Sequence, residues 1–211
     1  MNLSSRWCVT AVVALGAIAC SDPVPPAAQG AIWVRIQSAS PTPTGKSCPS
    51  GASTTFDVPH VDPNMKNDKG EIVDEVLDEN TYLHWIIDGQ SSSSVSCSVS
   101  GGSGGYSFSG RLKGPTTSST GKTGIGSIEI SSGTLDGTSK KGTATMTIAD
   151  SADLSQSMAS PSAACTVEAV PGDKTLQPGS MWASFTCSSI ESPPADYCTA
   201  HGILVLENCS Q

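Results

Sequence analysis

Aromatic residues make up only 5% of this 211-residue chain, and charged residues only 14%. A domain with so few aromatics lacks the large side chains that dominate an ordinary core, so other means must hold it together. Basic residues are scarce too. Eleven Lys and Arg stand against 19 Asp and Glu, for a net charge of −8. A surface of that sign repels phosphate backbones and has no electrostatic reason to dock on anionic lipid, so nucleic acid is not an expected partner. Apolar runs are short. The longest, Cys8 to Ala19, is broken by Thr10 and Gly16 and falls short of the ~18 residues a spanning helix needs. No second such run comes after it.

Histidine occurs three times, at positions 60, 84 and 201, with no HExxH and no close pair, and there is no CxxC. Zinc chemistry therefore has no ligand set to start from. No metal and no cofactor is expected. Asp62, Asn64 and Asp68 are oxygen donors close in sequence, but Asn67 stands where a calcium loop needs glycine, so a solvated loop is the simpler reading. Gly121-Lys122-Thr123 ends like a phosphate loop, yet Gly114 lies too far upstream for its four-residue gap. Gly101-Gly102-Ser103-Gly104-Gly105 matches GxSxG, with Asp136 or Asp153 and then His201 in the order of a hydrolase triad. That motif needs a helix after the serine, and the next segment, YSFSGRL, reads as a strand. No catalytic residue is expected, and an envelope serine hydrolase using Ser103 and His201 is the remotest reading.

Gly, Ser and Thr fill the space the absent residues leave, and they suit strands and turns. Alternation is plain along much of the chain. Ile32, Val34 and Ile36 share a face; so do Val95, Cys97 and Val99; Tyr106, Phe108, Gly110 and Leu112; Ile128 and Ile130; Ala144, Met146 and Ile148; Cys165, Val167 and Ala169; and Met181, Ala183, Phe185 and Cys187. Ile203 to Leu206 is continuously apolar and suits a strand buried on both sides. Short strands between Gly/Ser/Pro turns give an all-β chain, an antiparallel β-sandwich of about eight to ten strands. Residues 57–80 depart from the pattern. They are acidic, and GEIVDEVLDEN fits a short helix or an exposed loop equally well.

The first twenty residues carry an address. Arg6, the apolar run and the small residues Ala17 and Ala19 lay out a secretory signal peptide. Ala17-Ile18-Ala19-Cys20 resembles the lipobox of bacterial lipoproteins, although Ala17 stands where Leu is usual. The resemblance implies a signal peptide over 1–19, acylation of Cys20 and a permanent membrane anchor. Ser21 after the cysteine implies the outer membrane, with the domain exported to its periplasmic face or the cell surface. MWASFTC and GILVLENC near the end resemble small uncharacterised envelope lipoproteins of Gram-negative bacteria. Loss of Arg6 with the signal makes the mature chain one unit more acidic. Residues 20–30 form a lipidated, Pro-rich linker, and 31–211 the β-sandwich domain.

On this reading Cys8 leaves with the signal and Cys20 takes lipid. Cys48, Cys97, Cys165, Cys187, Cys198 and Cys209 remain, an even set in an oxidising compartment, and read as disulfides. Six cysteines allow 15 connectivities. Cys165 with Cys187 and Cys198 with Cys209 are the couples suggested by position, leaving Cys48 with Cys97.

One feature hints at recognition. Trp33 falls on the polar face of its strand with Arg35 and Gln37, and Trp182 falls with Ser184 and Thr186. An exposed indole is a rigid apolar platform that sugars and proteins both use. The alternative is that each indole is covered by a loop. The expected role is non-catalytic, binding or structural, at the cell envelope, with the membrane as partner through lipid. A carbohydrate- or peptidoglycan-binding module using Trp33 and Trp182, with an envelope glycan or protein as partner, is the alternative.

Overall fold

A computed structural model describes residues 25–48, 85–117, 123–151, 154, 157–171, 175–192 and 196–211. The signal segment, Cys20 and the acidic 57–80 stretch lie outside them. The described chain is all β. Its strands are β1 (Gln29–Ser38), β2 (Trp85–Ile87), β3 (Ser94–Gly102), β4 (Gly105–Thr117), β5 (Thr123–Leu135), β6 (Lys141–Asp150), β7 (Met158–Ala159), β8 (Cys165–Ala169), β9 (Leu176–Gln177), β10 (Ser180–Ser192) and β11 (Asp196–Glu207). These are eleven strands rather than eight to ten, because β7 and β9 are two-residue pieces too short to show alternation.

All pairings among these strands are antiparallel, and they form one sheet in the order β2-β1-β11-β10-β7-β6-β5-β4-β3. The sheet rolls round on itself. β8 spans the gap between β10 and β6, pairing both. The two ends of the path meet at the 88–93 turn, where Asp88 Oδ1 accepts from Val95 N at 3.0 Å. The C-terminal residues close the seam. Val99 N donates to Ser210 O at 2.9 Å, Ser210 N to Cys97 O at 3.0 Å, and Gly179 N to Val99 O at 2.8 Å. Those bonds occupy part of the β3 edge, which would otherwise invite pairing with another chain.

The enclosed face is the core. Val34, Ile36, Val99, Leu112, Ile130, Met146, Ile148, Met181 and Leu204 are all but fully buried. The alternation in the sequence therefore gives the correct face for every strand it covers. Opposite walls touch: a Cβ on Gly30 of β1 would stand 2.6 Å from Leu112 Cδ2 of β4. Two of the three phenylalanines lie over a cross-strand glycine. Phe108 covers Gly133, its register partner on β5, and Phe185 covers Gly202 on β11. The missing side chain under each ring lets an aromatic lie flat against the sheet.

Three disulfides staple this core: Cys165–Cys187, Cys97–Cys209 and Cys48–Cys198. All six expected cysteines are used. The first pair is as expected; the other two exchange partners. Cys198 is the third residue of β11 and Cys209 lies two residues past its end, so the strand residues 199–207 hold the two cysteines apart. That stretch spans on the order of 30 Å, whereas bridged Cα atoms lie about 4–7 Å apart. Cys209 instead ties the chain end to β3, and Cys198 ties the start of β11 to the segment after β1.

Candidate functional site

The outer face of β1, β11 and β10 carries the aromatic residues singled out in the sequence. Register builds it in rows. Ala31, Val205 and Trp182 are partners across the three strands, and Trp33, Ile203 and Ser184 form the next row. Arg35, His201 and Thr186 form a third. Trp33 and Trp182 thus lie on one surface. Neither stands free of it. Both are half-buried, packed with Ile203 on Ala31 and Val205, which are fully covered. This explains the apolar run 203–206. Leu204 and Leu206 face the core, while Ile203 and Val205 belong to a second, smaller cluster outside it.

Polar groups pin the cluster. The Trp182 indole N–H donates to Glu207 Oε1 at 2.9 Å, and the Gln29 amide donates to Oε2 of the same carboxylate at 2.8 Å. Trp33 and the His201 imidazole form a T-shaped contact, with ring centroids 5.6 Å apart at 66°. Burial there holds the His201 pKa below its usual 6.5, and the Arg35 guanidinium adds to the effect. Sequence reading misses Glu207 because only the β10–β11 register brings it beside Trp182.

The same outer face continues across β8 and β6. Lys141, Thr166, Glu168, Ser184 and Thr186 line a shallow depression there. Lys141 Nζ lies 3.1 Å from Glu168 Oε1. Ser184 joins the depression directly to the Trp33–Ile203 row, and Trp182 stands two residues before it on the same face of β10.

The hydrolase residues are not brought together. Ser103 is at the tip of the β3–β4 hairpin, with its carbonyl against Gly137 of the β5–β6 turn. The chain continues from it into a strand, so it is not a nucleophile elbow. His201 lies mid-strand on β11, packed against Trp33, away from any hairpin tip. Asp136 serves its own turn, accepting at Oδ1 from Ser139 N at 2.7 Å and Thr138 N at 3.0 Å. Asp153, His60 and His84 lie outside the described residues, as do Asp62, Asn64 and Asp68. Among the described residues no three His, Cys, Asp or Glu side chains gather as a metal site would require. Asn208, of the sequon-like Asn208-Cys209-Ser210, donates to Ala27 O at 3.1 Å, and its neighbour Cys209 is bridged.

Comparison with protein-family models finds no match, and neither does comparison with curated proteins or with solved structures.

Proposed function

We propose that this chain is an outer-membrane-anchored lipoprotein with a non-catalytic binding or structural role at the cell envelope. The observation that carries the reading is the pairing of cysteines. Every cysteine after Cys20 is bridged to another of the same six, so none of them is left over for Cys20, and with Cys8 removed in the signal this parity supports acylation of Cys20. Three bridges also suit an exported protein, since disulfides persist in oxidising compartments and are rare in the cytosol. Acyl chains on Cys20 would hold the domain by the linker, with each buried methylene contributing about 0.8 kcal/mol.

The test is the mass and partitioning of the chain expressed with its own signal. The mature protein should begin at Cys20, carry acyl chains and enter the detergent phase. A Cys20→Ser variant should lose the acyl mass and partition into water. Wild-type protein that is unacylated and water-soluble would overturn the reading.

A second reading, a carbohydrate- or peptidoglycan-binding module, is favoured by the placement of Trp33 and Trp182 on one outer face. A Trp33→Ala/Trp182→Ala double variant that keeps its fold should lose retention on envelope glycans. Unchanged retention would remove these indoles from the site.

A further inference from the structure

We propose that the far end of the β4–β5 pair is a second membrane contact, in which Ile125 and Pro115 enter the headgroup layer of the bilayer that holds Cys20, with Lys113 and Arg111 against the lipid phosphates. This rests on the lipoprotein reading and adds to it the surface that faces the membrane.

The place where the anchor leaves the domain narrows the choice. Asn208 Nδ2 donates to Ala27 O at 3.1 Å, and Asp88 N donates to Ala28 O at 2.9 Å. The chain is thus fixed to the domain from Ala27 onward, seven residues after Cys20. Seven residues reach about 25 Å at most, so this corner stays close to the lipid. β4 belongs to the same corner. Asp88 Oδ1 accepts from Val95 N, and Val95 is the register partner of Leu112. A Cβ on Gly114 would lie 3.2 Å from Ile86 Cγ2, and Ile86 pairs with Gly30 of β1. Pro115 follows directly.

The side chains there match a lipid surface. Among the described residues Ile125 is the single exposed large apolar side chain, at 41%. Its backbone is held on both sides: its N donates to Ser151 Oγ at 2.8 Å, and its O accepts from Ser151 N at 3.1 Å. Pro115 is its register partner on β4. Side chains on a fixed backbone lose little further freedom on binding. Behind this apolar pair, Lys113 pairs with Ser127 and Arg111 with Glu129 in successive rows of the same exposed face. An apolar end followed by two long basic side chains follows the depth profile of a headgroup layer, where charged heads stay with the phosphates while apolar groups lie deeper.

Charge points the same way once its distribution is read. The chain as a whole is at −8, yet between Asp88 and Glu129 it has no Asp or Glu and carries Arg111, Lys113 and Lys122. That stretch contains all of β3 and β4. The acidic residues lie elsewhere, so this face alone suits an anionic surface. One isoleucine and two cations bind weakly by themselves. A tether this short sets a millimolar effective concentration, at which a weak contact is occupied.

The experiment uses the acylated full chain, labelled at its isoleucine δ1 methyls, in nanodiscs of phosphatidylethanolamine and phosphatidylglycerol with a gadolinium chelate on a fraction of the headgroups. Mass spectrometry first establishes the acyl chains. The expected result is loss of the Ile125 methyl signal while Ile203, on the outer face of β11, keeps its own. An Arg111→Ser/Lys113→Ser variant, changed at exposed positions, should recover the Ile125 signal with the rest of the methyl spectrum unchanged. Ile125 and Ile203 signals kept together or lost together in acylated protein overturn the contact and leave the anchor standing. An Ile125 signal lost in the double variant as in wild type overturns the part given to the two basic residues. Protein without acyl mass overturns the anchor, and the contact with it.

Discussion

Cys165 and Cys187 are direct register partners on β8 and β10, with Cα atoms 3.9 Å apart and both side chains fully buried. Their bridge joins β8, the strand that spans the seam between β6 and β10, to its longer neighbour. It closes a loop of 22 residues, whereas Cys97–Cys209 closes 112. Chain-entropy arguments give about 3 kcal/mol for the shorter loop and about 5 kcal/mol for the longer. A Cys97→Ala/Cys209→Ala variant should therefore be less stable in urea than Cys165→Ala/Cys187→Ala. The reverse order would mean that packing at the β8–β10 pair outweighs the loop term.

Gly30 of β1 lies against Leu112 of the opposite wall. A Cβ there would lie 2.6 Å from both Leu112 Cδ2 and Val205 O. The leucine can rotate, but the carbonyl belongs to the β1–β11 ladder and cannot yield without straining it. Gly30→Ala should cost roughly 1–3 kcal/mol, the range for overpacking. A denaturant midpoint equal to wild type would show that the two strands can part freely.

How much of this was legible in the sequence depends on the kind of contact each feature needs. Ala144, Met146 and Ile148 against Thr143, Thr145 and Thr147 specify a strand and its inner face, because side chains alternate across any strand. The polar-face positions of Trp33 and Trp182 come from the same rule. Their packing does not. Val205 is fully covered only because β11 lies between β1 and β10, and strand order is set by long-range pairing that alternation leaves open. The partner of Trp182 is hidden likewise, since Glu207 is twenty-five residues away and meets it only through the register. The Cys198–Cys209 couple is different. A strand between two cysteines holds them apart, and the apolar run Ile203–Leu206 already indicates that strand.

Asp136 gives an acid-side prediction. The Ser139 backbone N–H, the Ser139 hydroxyl and the Thr138 backbone N–H all bond its carboxylate, and Lys140 adds a favourable charge. They hold its pKa below the usual 3.8. The folded state thus prefers the ionised form. This stabilisation is present above pH 3.8 and fades as pH falls through the lower folded value. Asp136→Ala should lower stability at neutral pH and flatten the acid limb of the stability curve. An unchanged acid limb would mean that the turn does not depend on this carboxylate.

His201 gives the opposite end of the same argument. Its ring makes a T-shaped contact with Trp33, between Arg35 on β1 and Thr186 on β10. Burial and the Arg35 charge both disfavour the imidazolium, so the folded pKa lies below 6.5. The unfolded chain then binds the proton more tightly than the folded one. Stability is unaffected above the unfolded value and falls as the pH drops below 6.5 through the folded pKa. Urea unfolding of wild type and His201→Gln at pH 8 and pH 5 isolates this group, because the other titrating residues are common to both. Wild type should lose more stability between the two pH values than the variant. A wild type that gains stability on acidification relative to His201→Gln would require a carboxylate close enough to hold the imidazolium, and would place an acidic partner against this face.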